Sequence, residues 1–269
     1  MTSLQGLLRA SLILLLTPGA HATAQGPSSA PAPEREVLLA KATAAGQLRP
    51  REAAEAAEKM LALDSLDAEA SWRAAVAYVD LGKVTPDERK DRVRDSLYLL
   101  AERHARHAVR LAPQDANAHF ALAAALGKAA LTKGAKERVK YAVEIRDAAM
   151  RSLAVDPRHD GSWHVLGRWH AEIERLSNIE EFFAKKFLGA RVFGEASWEE
   201  AARNLEQAAA LRPDYIYHRL DLAEVYVDMR RYADARRELD TIVNLPTLDA
   251  MDPEYRRQAE AIRSRIARK

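Results

Sequence analysis

Pro157-Arg158-His159-Asp160-Gly161-Ser162-Trp163-His164-Val165-Leu166-Gly167-Arg168-Trp169-His170 is the stretch that decides the fold. Trp163, Leu166, Gly167 and His170 are spaced as one face of an α-helix, and the proline six residues before Trp163 punctuates whatever helix precedes it. Working outward, a small residue followed five positions later by proline marks the end of a preceding helix. Ala108 to Pro113 and Ala208 to Pro213 show this pattern, and Ser152 to Pro157 shows it with a small polar substitute. Past Pro213 the matching face is Arg219, Leu222-Ala223 and Tyr226, after which Tyr232-Ala233-Asp234-Ala235 opens a second helix and Pro246 follows it. Past Pro113 it is His119, Leu122-Ala123 and Leu126, and an earlier first helix carries Trp72, Ala75-Val76 and Val79. A degenerate pair, Glu34 to Ala45 and Pro50 to Leu63, comes before these. Small residues such as Ala101, Ala105, Ala108, Ala201 and Ala208 let helices approach closely, while Trp163 and Leu166 fill the grooves between them.

The spacing at Trp163 resembles W-x2-L-G-x2-Y, the first helix of a tetratricopeptide repeat, with His170 where tyrosine is usual. Residues 216 to 249 have the ordinary repeat length of about 34. The expected fold is therefore all-α: a tetratricopeptide-type right-handed superhelix of antiparallel helix pairs, with an inserted helix and a C-terminal capping helix. The expected organisation is a signal peptide over 1–24, a Pro/Ser/Ala-rich linker over 25–33 and a degenerate helix pair over 34–66. Repeats follow over 67–249 with an insertion at about 172–196, and a cap over 250–269 opens at Asp252-Pro253.

Composition agrees with helices. Of 269 residues 48% are apolar and 30% charged, Gly and Pro number 11 each, and alanine makes up about a fifth. The formal charge of +2 gives no field that points to nucleic acid. Cysteine is absent, which excludes disulfides, thiolate metal sites and a cysteine nucleophile. Near the start, Arg9, the apolar run Ala10 to Leu16, Pro18-Gly19 and the Ala20-His21-Ala22 and Ala22-Thr23-Ala24 cleavage patterns form a secretory leader, the alternative being an uncleaved anchor. Export to a bacterial periplasm or medium is expected, with no transmembrane anchor once the leader is cleaved.

The proline spacing departs from a plain repeat: 113 to 157 and 157 to 213 exceed the standard period by about 10 and about 22 residues. The larger excess follows a helix expected to run to about residue 177. It contains Asn178 to Leu188, whose Ile179, Phe182, Phe183, Phe187 and Leu188 share one face of a short helix opened by an Asn178/Glu181 capping box. That face is expected to pack against the array, because three exposed phenylalanines would invite aggregation. Thr85-Pro86-Asp87-Glu88 and Ser197-Trp198-Glu199-Glu200 are two further capping boxes, so their acids are helix caps rather than catalytic groups.

The segment from Trp163 to Pro213, with Phe187-Leu188-Gly189 and Val192-Phe193-Gly194-Glu195-Ala196-Ser197-Trp198-Glu199-Glu200-Ala201, resembles the regulator of microtubule dynamics family of tetratricopeptide proteins. The resemblance covers roughly residues 68 to 249. It implies the repeat fold and an interaction role, and lipid binding has been ascribed to the family's repeat domain. The usual Gly-x-Pro is here Gly194-Glu195 without the proline. Microtubule regulation does not carry over to an exported bacterial chain.

No phosphate-binding, zinc-protease, nucleophile-elbow or EF-hand motif occurs, so no catalytic residue, cofactor or metal is expected. His104 and His107 lie one turn apart without a third ligand nearby, and Arg103, Arg106 and Arg110 form a stripe diluted by Asp91, Asp95 and Glu102. By analogy with tetratricopeptide domains, the inward positions of the concave face are Arg73, Ala77, Phe120, Ala124, His164, Arg168, Leu220 and Glu224. Their small and apolar character suits a protein or peptide partner, or alternatively a lipid, with Arg73 or Arg168 holding a polar end. Arg168 serves either that ligand or a structural bond to the insertion. Ala77 and Ala124 occupy two places of the Lys and Asn set that clamps carboxyl-terminal peptides, so chaperone tails are not expected. The packing positions are Trp72, Ala108, Pro113, Trp163, Leu166, Gly167, Ala201, Ala208, Pro213, Tyr226 and Ala235. The expected function is a non-enzymatic interaction scaffold; the alternative is a carrier of a lipid or other apolar ligand.

Overall fold

Proline or a capping side chain sets six of the helix starts among the described residues. In a computed structural model that describes residues 32–86, 92–175 and 194–269, the elements are α1 (Ala32–Ala45), α2 (Pro50–Leu63), α3 (Ala68–Val84), α4 (Arg92–Leu111) and α5 (Ala116–Ala129). A short 3-10 turn, Ala130–Thr132, precedes α6 (Ala135–Val155), α7 (Asp160–Glu174), α8 (Trp198–Leu211), α9 (Ile216–Asp228), α10 (Tyr232–Ile242) and α11 (Asp252–Ile266). The described residues contain no strand. The Asp67 carboxylate accepts from Ala70 N, Asp115 from Asn117 and Ala118 N, His159 Nδ1 from Ser162 N, and Ser197 Oγ from Glu200 N. Each acceptor satisfies an orphan N–H of a first helical turn.

A second device recurs one turn further in. Six residues past the repeat prolines, His119 Nε2, Trp163 Nε1 and Arg219 Nε each lie 2.9 Å from the carbonyl oxygen of Pro113, Pro157 and Pro213. Three chemically different side chains thus tie the turn to the helix it opens in the same way.

The helices pair as α3 with α4, α5 with α6, α7 with α8 and α9 with α10, and the first helices of successive pairs stack on one another. Alanines make this stacking close: Ala101, Ala105 and Ala108 of α4 and Ala201 and Ala208 of α8 are fully buried. At Gly167 a Cβ would stand 2.5 Å from Leu205 Cγ and 3.0 Å from the Ala201 carbonyl, so α7 and α8 touch through a glycine. Leu166 and Tyr226 are buried, Ala235 lies in the core of the last repeats, and Trp72 packs half-buried against the cluster around Ala75 and Leu126. Between pairs, the Phe120 ring covers Gly161, where a Cβ would meet it at 2.5 Å, and lies 4.6 Å from the His159 ring. Ser152, standing in place of the repeat alanine, donates to the Ala116 carbonyl and accepts from Ser162 Oγ, so its buried hydroxyl is fully used.

Some boundaries differ from the expected ones. The first helix after Pro157 ends at Glu174 rather than at about 177. Thr85, expected to open α4, donates its hydroxyl to the Leu81 carbonyl and so closes α3. Asp87 and Glu88 of that box, and the helix expected over Asn178 to Leu188 with Phe182, Phe183 and Phe187, lie outside the described residues, as does the leader.

The array is tied end to end. Ala250 N, in the loop before the cap α11, donates to the Gln47 carbonyl at 3.1 Å in the α1–α2 turn. Gln47 Nε2 donates to Tyr215 Oη at 2.8 Å, Tyr215 Oη donates to Asp249 Oδ2 at 2.7 Å, and Arg212 Nη1 donates to Gln47 Oε1 at 3.3 Å.

Candidate functional site

The first helices of the pairs direct one set of side chains inward, and most of that set is charged or aromatic. From α3, Lys83 Nζ meets Asp80 Oδ1 at 2.7 Å and lies 5.6 Å from the centre of the Tyr217 ring. From α7, Arg168 Nη1 meets Asp221 Oδ1 of α9 at 3.0 Å, and its Nη2 meets Glu172 Oε1 at 3.0 Å. Tyr217 of α9 stacks on Tyr255 of the cap with ring centres 4.7 Å apart. Lys128, in the last turn of α5, is half-buried, and its ammonium makes no hydrogen bond or ion pair with the described residues.

A relay of buried groups joins α7 to α9 behind this face. His218 Nε2 lies 2.8 Å from Asp160 Oδ2, and its Nδ1 lies 3.0 Å from His164 Nδ1. His164 Nε2 stands 3.1 Å from Asp221 Oδ2, within ion-pair distance but off the line of a hydrogen bond. Two facing Nδ1 atoms can share only one proton. With Asp160 ionised, His218 carries its proton on Nε2, so His164 Nδ1–H is the donor.

The field inside this face follows from burial and these pairings. Burial alone would raise the Asp221 carboxyl, but the Arg168 guanidinium overcomes it and holds the group at about 2. Asp221 in turn keeps the Arg168 guanidinium above its usual value. Burial pulls the Lys83 ammonium down, while Asp80, with Tyr215, Tyr255 and Asp249 around it, more than offsets this and leaves it well above the ordinary range. Lys128 has no such partner: burial and the nearby cations Lys83 and Arg168 push it down to about 8. Burial and Asp221 raise the Glu224 carboxyl, and burial and Asp221 push Tyr217 up to about 12.

Of the eight expected groove residues, the structure brings His164, Arg168 and Glu224 together around Asp221. Arg175 Nη2 lies 3.8 Å from Glu224 and 2.6 Å from Asp228 beside them. Ala124 is half-buried on α5. Arg73 lies apart, with its guanidinium 4.5 Å over the Trp72 ring and bonded to Glu69. Ala77, 4% exposed, packs with Ala45, Ala53 and Ala54, and Leu220, 1% exposed, packs in the core with Leu239 and Ile242. Phe120 serves the contact with Gly161. Ala77 and Leu220 are packing positions rather than lining, because each first helix is turned so that a neighbouring helix covers them, while Phe120 stays half-buried. Arg168 bonds to α9, which places its structural role between repeats.

The reading by repeat position missed Asp80, Lys83, Lys128, Tyr217, Asp221 and Asp249. Asp221 sits between Leu220 and Leu222 with nothing local to distinguish it from a surface acid. Only the i, i+3 spacing of Asp80 and Lys83 was a signal. Among the described residues no group of three or more metal-ligating side chains converges, and no helix is long and apolar enough to cross a membrane.

A family model described as Regulator of microtubule dynamics protein 1-3 matches residues 39–267. Regulator of microtubule dynamics protein 3 of Rattus norvegicus is 22% identical over 192 residues, which are 71% of this chain and 40% of that protein. Regulator of microtubule dynamics protein 2 of Homo sapiens is 24% identical over 206 residues, 73% of this chain and 47% of that protein. The chain thus spans less than half the length of these curated relatives. Among solved structures, a thermophilic tetratricopeptide protein of Thermus thermophilus superposes with a TM-score of 0.54 at 21% identity, covering 87% of this chain and 97% of that one. Pseudomonas aeruginosa pilF does so with a TM-score of 0.50 at 14% identity, covering 88% and 91%. The fold is a tetratricopeptide-type superhelix.

Proposed function

From the premise that this chain belongs to the regulator of microtubule dynamics protein 1-3 family, we propose that it is a non-enzymatic interaction module that works from the inner face of its helix array. The observation that carries this reading is the convergence on that face of charged side chains from α3, α5, α7 and α9, with Lys128 and Glu224 half-buried there and Arg175 exposed beside them. Arrays of this kind bind through the surface that successive repeats line in common. The partner is a protein segment bearing charge, because a desolvated ionic face penalises an apolar one. The same charge weighs against an acyl chain in the groove, since burying Lys128 or Glu224 under hydrocarbon would leave them without solvent or counter-ion. The leader over 1–24 supports export to the bacterial envelope as the place of action.

Affinity capture from envelope extract of the source cells tests the role. Wild-type protein is expected to retain a partner that Glu224→Lys loses and that the outer-face control Arg203→Glu keeps. Equal capture by all three would overturn the assignment of the inner face. Intact mass of the secreted chain is expected to begin just past Ala22 or Ala24, and a full-length mass would overturn cleavage.

A further inference from the structure

Closure of the array covers the charged floor of its own inner face. Lys83, whose side chain is 13% exposed, pairs with Asp80 and lies 5.6 Å from the centre of the Tyr217 ring. Tyr217 stacks on Tyr255 at 4.7 Å and meets the Tyr215 ring edge-on at 6.5 Å, and Tyr215 Oη donates to Asp249. Asp80, Tyr215, Asp249 and Tyr255 are buried. Side chains of α3 thus face those of α9, the cap loop and α11 across the interior, and closure leaves a partner little of them to touch.

The seam that closes the array is polar. Gln47 and Ala250 meet through a backbone hydrogen bond, and the Gln47 side chain bonds Tyr215 and Arg212. Leu48, the apolar side chain of the same turn, is exposed, and no buried apolar cluster among the described residues draws side chains from both ends of the array. Water can replace each bond of such a seam, whereas a seam of packed apolar side chains would have to expose them on opening. Gly46, at φ +47°, stands beside Gln47 where the turn leaves α1 and gives it a backbone free to swing. An interior that served only to hold the ends together would be apolar, because covering Lys83, Asp80 and Asp249 costs desolvation that apolar groups avoid. We infer that the closed array is a self-covered form and that the seam between the α1–α2 turn and the cap loop is its gate, whose opening admits a charged protein segment to the floor of Asp80, Lys83, Tyr217 and Tyr255. A segment that binds only the open form draws the population toward it, so closure lowers the affinity of the inner face. What enters rests on the interaction role proposed above, whereas the opening itself is read without a partner.

The chain has no cysteine, so Gln47→Cys with Ala250→Cys supplies one unique disulfide across the seam, locked when oxidised and free when reduced. The rate at which N-hydroxysuccinimidyl acetate acylates Lys83, measured by peptide mass spectrometry against the exposed Lys59, reports access to the floor. Lys83 is expected to react about tenfold more slowly in the oxidised form than in the reduced form. Equal rates in the two forms would overturn the gate. Gln47→Ala with Tyr215→Phe tests it without a disulfide: Lys83 should react several-fold faster than in wild type, with circular dichroism showing that the variant is folded. An unchanged rate in that folded variant would show that these bonds do not hold the floor closed. In capture from envelope extract, the oxidised form is expected to lose the partner that the reduced form keeps, and equal retention by both would overturn the gate while leaving the interaction role. Failure of that role would appear instead as equal capture by wild type and Glu224→Lys, with the Lys83 rates still following the lock.

Discussion

His218 shows how one buried side chain can set the pH range of the fold. It is 2% exposed, and burial lowers it to about 4 despite the Asp160 carboxylate at its Nε2. The unfolded chain binds a proton there near the ordinary value of about 6.5, so between those limits the unfolded state takes up more protons. The contribution is therefore complete above about pH 6.5 and is lost as the pH falls toward 4, at about 2 kcal/mol between pH 7 and pH 5. Urea unfolding at both pH values should show wild type losing that much more than His218→Gln, and equal losses would mean that His218 is not held neutral. Arg230 makes a second point at this scale. It has φ +60°, directly after α9, with Arg231 N on the Tyr226 carbonyl, the geometry in which glycine normally ends a helix. Arg230→Gly is expected to gain about 1 kcal/mol in the same measurement.

At the scale of elements, two glycines on stacked helices do opposite things. Gly167 is the contact between α7 and α8, whereas a Cβ at Gly127 of α5 would meet nothing within 4 Å. Gly167→Ala must push Leu205 or the Ala201 carbonyl aside and should cost about 1 to 3 kcal/mol. Gly127→Ala meets open space and should stabilise by about 0.5 to 1 kcal/mol through helix propensity alone. Denaturant midpoints that move in the same direction for both would show that α7 and α8 are not in close contact. The side chains that tie each proline turn to its helix belong to the same scale. His119, Trp163 and Arg219 share one bond to a proline carbonyl, so the repeat keeps a donor position while its residue type varies.

For the whole molecule, the tie between the first turn and the cap turns an open array into one whose ends meet. Gln47 carries it by a backbone acceptor, a donor to Tyr215 and an acceptor from Arg212. Gln47→Ala keeps the first and removes the other two, so it should cost about 1 to 2 kcal/mol and free the cap loop locally. Hydrogen exchange is the direct check: the Ala250 amide should exchange several-fold faster, while amides inside α5 keep their rate. Unchanged exchange at Ala250 would show that the side-chain bonds do not hold the ends together. The tie also places Tyr215 and Asp249 beside Lys83, so the polarity of the inner face is a property of the closed array rather than of any one repeat.

What the amino-acid order determined by itself is the helical repeat. Periodicity, prolines and small residues act within one or two turns of chain, so the first pair, the later repeats and the start of the cap at Asp252 were all legible. Ser197 capped its helix as its box required, because a cap needs only a few consecutive residues. Which side of each first helix became lining and which became core was not legible. Leu220 and Ala77 went to the core, and Asp221, next to a predicted liner, became the counter-ion of Arg168, because rotation about the helix axis is set by the packing of neighbouring pairs. His164 and His218 are 54 residues apart in the chain and 3.0 Å apart in the fold, and only tertiary packing could bring them together. The charge on Lys128 was in the sequence from the start, but its lack of a counter-ion follows from where α3, α7 and α9 place Asp80 and Asp221, which pair with other cations.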